Sequence, residues 1–184
     1  MTRVRILGVD PGSHKTGWGV IDVEGQRIAH VDNGVLMLDD DEDLAVRLVD
    51  LCHRLDDVIV RHRPDNAAVE DVFVQRGARS ALILGQARGA VLATLGLRGL
   101  RVTSIPTSQV KLRVAGQGRA DKGQVAEMVR ALLGLPEVPF EDAADALAVA
   151  LSVASAPFAP VPKTSRRPSA RDGLLALARA QGKA

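Results

Sequence analysis

Apolar positions in the first third of the chain switch between two spacings. Val4, Ile6, Leu7 and Val9 stand close together and predict a buried strand over Val4–Asp10, which Pro11-Gly12-Ser13 turns away from. Gly17–Val23 and Arg27–Leu36 read as two more strands, with Glu24-Gly25-Gln26 as the hairpin between them. Leu44, Leu48, Leu51, Leu55 and Ile59 then recur at steps of three or four, the signature of an amphipathic helix that Pro64-Asp65 ends.

Shorter apolar runs follow. Ala67–Glu70 predicts a strand, 78–95 a helix, and Arg101–Ser104 another strand, after which Pro106 opens a helical segment. Gly116-Gln117-Gly118 reads as a loop. Asp121 with Gln124 forms a capping box for a helix running to Leu133, with Gly134 just beyond its end. An alanine-rich helix from Glu141 to about Ser155 completes the pattern. Three strands in meander, then alternating helix and strand, predict an α/β fold: a mixed sheet flanked by helices. Pro157, Pro160, Pro162 and Pro168 break any helix beyond Ala156, so 1–156 is expected to be the domain and 157–184 a mobile tail.

Charge sharpens this division. The chain of 184 residues carries a net +2, but 157–184 holds six basic residues against Asp172 alone. That tail is +5, which leaves 1–156 at −3. The body is therefore not a generally basic nucleic-acid binder, and any DNA contact there needs local clusters. Trp18, Phe73, Phe140 and Phe158 are the whole aromatic set, too few for a platform that stacks single-stranded bases. Cys52 is alone, which excludes an internal disulfide or a thiolate metal site and fits a reducing cytoplasm. No apolar run approaches a membrane span, and the first ten residues do not read as a signal peptide.

The candidate chemistry lies in carboxylates. Asp10 and Glu70 end apolar strands, where a rigid sheet holds a side chain whose head reaches the surface. Asp142 and Asp145 lie three apart near the start of the last helix and share a face. Parallel neighbouring strands would bring the first two together, and a helix crossing their ends could add the others. Such a group repels itself, and a divalent ion removes the penalty. Oxygen ligands favour magnesium or manganese. Two ions about 4 Å apart suit phosphodiester hydrolysis. Each acid also has a plain structural reading: Asp10 as a turn residue, Asp142 as a charge favouring a helix N-terminus. Asp39–Asp43 reads as a solvated run. His14, His30, His53 and His62 lack metal-ligand spacing, with His53 and His62 expected at the surface and Trp18 in packing.

Several segments together resemble the RuvC family of crossover-junction endonucleases. They are Gly8-Val-Asp-Pro-Gly-Ser13 with Thr16-Gly-Trp-Gly19, Val69-Glu-Asp-Val-Phe73, ALILGQARG at 81–89, Gln109-Val-Lys111, Lys122-Gly-Gln-Val125 and Asp142-Ala-Ala-Asp-Ala-Leu147. They occur in family order over most of 4–152. The resemblance implies a ribonuclease-H-like fold, a homodimer, and dependence on magnesium or manganese. It implies resolution of four-way (Holliday) DNA junctions by paired symmetric nicks, in recombination and repair, beside a RuvA–RuvB branch-migration complex. Asp10, Glu70, Asp142 and Asp145 fall on the family's catalytic, metal-binding carboxylates. Phe73 falls on an aromatic that enters the junction, and Lys111 and Lys122 on basic residues near the DNA. Arg76 lies in the same junction-facing segment as Phe73.

General physics fits these expectations. A twofold dimer matches a junction with two equivalent strands. Ala78, Ala81, Gly85, Gly89 and Ala93 form a small-residue stripe that serves either such an interface or packing on the chain's own sheet. Phe73 beside Arg76 suits a wedge between bases, or else a core contact. Arg79, Arg113 and Arg119 join Lys111 and Lys122 as candidate phosphate contacts. Three other readings remain: a sugar-kinase or actin-type ATPase, a junction-binding module without catalysis, and a nuclease of the same fold acting on RNA–DNA hybrids or RNA precursors. The first needs a second phosphate loop, which this chain lacks, and the second leaves the four acids unexplained.

Overall fold

Apolar alternation along the strands sorts side chains to two faces of a single sheet, and helices cover both. The computed structural model describes residues 2–71 and 77–154. Its elements are β1 (Val4–Asp10), β2 (Lys15–Glu24), β3 (Arg27–Met37), α1 (Leu44–His62), β4 (Asn66–Asp71), α2 (Ala78–Leu97), β5 (Arg101–Pro106), α3 (Thr107–Ala115), α4 (Lys122–Leu133) and α5 (Glu141–Ala154). Every predicted element within the described residues is present, most of them longer by one to a few residues.

The five strands lie in the order β3-β2-β1-β4-β5. β1, β2 and β3 pair antiparallel as the expected meander, and Gly25, at φ 62°, makes the tight turn from Glu24 to Arg27. β4 then adds parallel to β1, and β5 parallel to β4. Parallel pairing needs a crossover, which α1 and α2 supply.

Ile6, Ile21, Ala68 and Ile105 point to the face covered by α3, α4 and α5, where Val110, Val125, Val129, Leu147 and Leu151 meet them. Leu7, Val9, Trp18, Val20 and Val69 point the other way, onto Leu51, Leu55 and Ile59 of α1 and Val91 and Leu95 of α2. The Asp121 side chain accepts from the Gln124 amide, and the Gln124 side chain accepts from the Asp121 amide, so the predicted capping box starts α4.

Two expectations need correction. His62 is buried rather than exposed: the last turn of α1 lays its ring against Trp18, with centroids 5.4 Å apart, and its Nε2 lies 3.2 Å from Asp32. Burial depresses the His62 pKa. Secondly, α2 is long and apolar enough to cross a membrane by length and composition alone, contrary to the reading that no run approaches a span. Its setting explains the composition. Ala87, Val91, Thr94 and Leu95 are buried against the sheet side of the molecule, while Leu82 and Leu97 are 63% and 89% exposed. The small-residue stripe is on the outer side, since a side chain at Gly85 or Gly89 would meet nothing within 4 Å among the described residues. Packing on the chain's own sheet is thereby excluded for those two positions.

Candidate active site

The parity of each strand decides where its terminal acid points. Asp10 shares the face of Ile6, and Glu70 that of Ala68, because side chains alternate. Both acids therefore face α5. In the parallel register Val9 lies opposite Val69, so the next residues, Asp10 and Glu70, emerge side by side. Their carboxyl groups are within hydrogen-bond contact. Burial and then the Glu70 charge raise the Asp10 pKa far above the usual carboxylate range.

α5 reaches these strand ends because three glycines hollow out the sheet beneath it. A Cβ at Gly8 would lie 2.1 Å from the Ala146 carbonyl oxygen, and one at Gly17 would lie 1.9 Å from that of Asp142. One at Gly19 would lie 2.6 Å from Leu147 Cδ2. Gly8 pairs with Gly19, and Asp10 with Gly17, so the trench runs straight to the acidic corner. The helix in it sets Asp145 over Asp10 and Glu70.

The result is a cavity of about 240 Å³ lined by Asp10, Glu70, Thr107, Lys111, Lys122 and Asp145, with Val110, Val125 and Ala148 as its apolar floor. A hollow of about 510 Å³ along 135–140 and Asn33 is larger but presents only one carboxylate, Glu137. Asp145 is raised in pKa, chiefly by burial, with Lys122 opposing. Lys122 Nζ sits 3.3 Å from Asp145 Oδ2 and 2.5 Å from Glu141 Oε1. Its ammonium draws the Glu141 carboxyl below the ordinary value.

Of the eight residues singled out by sequence, five line this cavity: Asp10, Glu70, Asp145, Lys111 and Lys122. Asp142 does not. It lies one turn before Asp145, half-buried, with its backbone pressed on Gly17. Phe73 and Arg76 lie outside the described residues, as does the tail 157–184. Among the secondary candidates, Arg113 is committed to structure, donating to the Ser152 carbonyl at 2.9 Å near the end of α5. Arg79 and Arg119 are exposed. His14 pairs with Asp40 rather than with Asp10.

Sequence reasoning gave no role to Arg88. Its Nε donates to the Glu70 carbonyl at 3.2 Å, and its Nη2 donates to Ser104 Oγ at 2.8 Å and lies 2.9 Å from Asp71. One guanidinium from α2 thus fixes the end of β4 on which Glu70 stands. A charged residue in the middle of a mostly apolar helix was the available signal.

The donor set fits a hard divalent cation. It is all carboxylate oxygen, with no sulfur or imidazole, and an acid pair in contact is what a cation relieves. Among the described residues no three His, Cys, Asp or Glu side chains lie close enough together to hold an ion.

The model of the family "Crossover junction endodeoxyribonuclease RuvC" matches residues 6–153. The protein of that name from Citrifermentans bemidjiense is 51% identical over 146 residues, covering 79% of this chain and 89% of its own. The Sorangium cellulosum protein is 43% identical over 179 residues, covering 92% and 100%. The structure of Thermus thermophilus RuvC in complex with a Holliday junction substrate is similar, with TM-score 0.78 and 37% identity over 82% of this chain and 93% of that one. The mixed sheet with its flanking helices is accordingly the ribonuclease-H-like fold. This chain belongs to the RuvC family of crossover junction endodeoxyribonucleases, hydrolases that resolve Holliday junctions with the help of a divalent metal ion.

Proposed function

We propose that Asp10, Glu70, Asp142 and Asp145 are the catalytic carboxylates and hold magnesium or manganese, two ions per site. The observation that carries this is that Asp10 and Glu70, at the ends of adjacent parallel strands, and Asp145 of α5 line one cavity together with Lys111 and Lys122. When bound, the ions would activate water and offset charge on the attacked phosphate. Asp10 and Glu70 come from adjacent rigid strands, so their heads are fixed before substrate arrives. Asp145 and Asp142 come from one helix, three residues apart on one face, with Asp145 lining the cavity.

Lys111 and Lys122 are proposed to take phosphate oxygens of the junction, which is the substrate seen with the Thermus thermophilus protein. Phe73 and Arg76 follow β4 directly and are proposed as wedge and phosphate contact. The exposed stripe on α2 is proposed as the homodimer face, giving two equivalent sites for two equivalent strands. The nuclease domain is then 1–156, with 157–184 as a basic appendage, working in the cytoplasm beside a RuvA–RuvB branch-migration complex.

The test uses a mobile four-way junction, a linear duplex and an RNA–DNA hybrid, each with magnesium and with manganese. The expected result is paired nicks on the junction alone, abolished in Asp10→Asn while junction binding persists. Equal cutting of duplex or hybrid would overturn the junction reading, and full activity of Asp10→Asn would overturn the assignment of the acids.

A further inference from the structure

Lys122 has two carboxylate partners of different kinds. Asp145, at 3.3 Å, belongs to the cavity, and Glu141, at 2.5 Å, stands outside it on the first turn of α5. Both Lys122 and Glu141 are about two-thirds exposed at the side chain, so their pair adds little to stability. Its effect is on position. An ammonium close to Asp145 occupies the side of that carboxylate which a cation needs, and like charges do not share it.

We infer that Glu141 is a positioning residue: it holds the Lys122 ammonium at the rim and so keeps Asp145 available to a divalent cation. This rests on the metal-site reading given above. Glu141 lies one residue before Asp142 and four before Asp145, so one helical turn carries both the tether and the ligand. Lys122 is anchored independently, on the capped first turn of α4. The two helices pack against each other, which fixes the reach of the lysine between its two partners. Removing Glu141 leaves Asp145 as the nearer acid for the same side chain. The lysine then competes with the cation for it.

The test is a double-mutant cycle read by manganese binding rather than by cleavage, using calorimetry of the full chain at about 0.3 M salt to screen charges acting through solvent. Glu141→Gln is expected to weaken manganese binding about 5-fold in the parent and by less than about 1.5-fold in a Lys122→Met background. Unchanged melting curves of the variants verify that the fold is intact. An equal loss in both backgrounds would make Glu141 a plain neighbouring charge and overturn the inference. So would no loss, or tighter binding, in the parent. If the parent itself binds no manganese, the metal reading fails and takes this inference with it. Binding in the parent with an equal loss in both backgrounds removes the inference alone.

Discussion

Gly17 lies directly beneath the backbone of Asp142: a Cβ at Gly17 would come within 1.9 Å of the Asp142 carbonyl oxygen. Closest packing of helix on sheet therefore falls at the turn that carries two of the proposed ligands. Gly17→Ala is expected to force the first turn of α5 outward, costing about 1–3 kcal/mol. Because the displaced turn bears Asp142 and Asp145, manganese affinity should fall further than stability alone accounts for. Urea unfolding and metal titration of the same preparation measure the two effects. Retained metal affinity in a destabilised variant would show that α5 does not set the site.

Arg88 should matter through Glu70. Removing its guanidinium frees the Glu70 carbonyl and leaves Asp71 without its 2.9 Å partner. Arg88→Ala is expected to cost about 1–2 kcal/mol in stability and about 10-fold in single-turnover cleavage, with junction affinity little changed. Arg88→Lys should recover stability but not rate, since one ammonium cannot span a carbonyl, a carboxylate and a hydroxyl. Equal rescue of rate and stability by lysine would reduce Arg88 to a simple structural charge.

The acid pair predicts an unusual pH dependence of stability. Burial and Glu70 raise the Asp10 pKa to about 9, so the folded state keeps a proton that the unfolded chain gives up near pH 4. Stability then falls as pH rises from about 4 toward the raised value. Asp10→Asn removes that loss. The variant should be more stable than the parent at about pH 8, on the order of 1–3 kcal/mol, with the gap closing toward pH 4. Thermal melts at the two pH values, without divalent metal, measure it. A variant less stable than the parent at about pH 8 would show that the acids do not strain one another.

Much of this fold was legible because strand period and helix period both appear in the apolar positions. Val4–Asp10 and the Asp121–Gln124 capping box are cases in which local chemistry alone sets the element. The acids were legible as strand-terminal and as i, i+3 partners. Their convergence was not, since it depends on the parallel pairing of β1 with β4, set by contacts distant in sequence. Gly8, Gly17 and Gly19 stood only as strand and motif glycines, and the position of α5 shows that they are a trench. His62 was misplaced because its helix periodicity did not reveal Trp18 beneath its last turn. Arg88 was overlooked because its three partners come from two other strands.

The outer side of α2 should carry self-association. Leu82 is 63% exposed beside Gly85, and none of the described residues lies within 4 Å of a side chain placed at that glycine. Leu82→Glu puts a charge where an apolar face would meet its twofold copy, and is expected to weaken the dimer at least about 10-fold. Stability of the single chain should change by less than about 0.5 kcal/mol, because the site is at the surface. Sedimentation across a concentration series measures this. An unchanged dimer would move the interface elsewhere.

Where the ions sit decides whether the corner of β1, β4 and α5 is the catalytic centre. Crystals soaked in manganese, with anomalous scattering collected to locate it, answer this. Anomalous density is expected between the Asp10 and Glu70 carboxylates, with Asp145 as a further ligand and Lys122 displaced from it. Manganese bound only elsewhere, with Lys122 still on Asp145, would rule the corner out as the metal site.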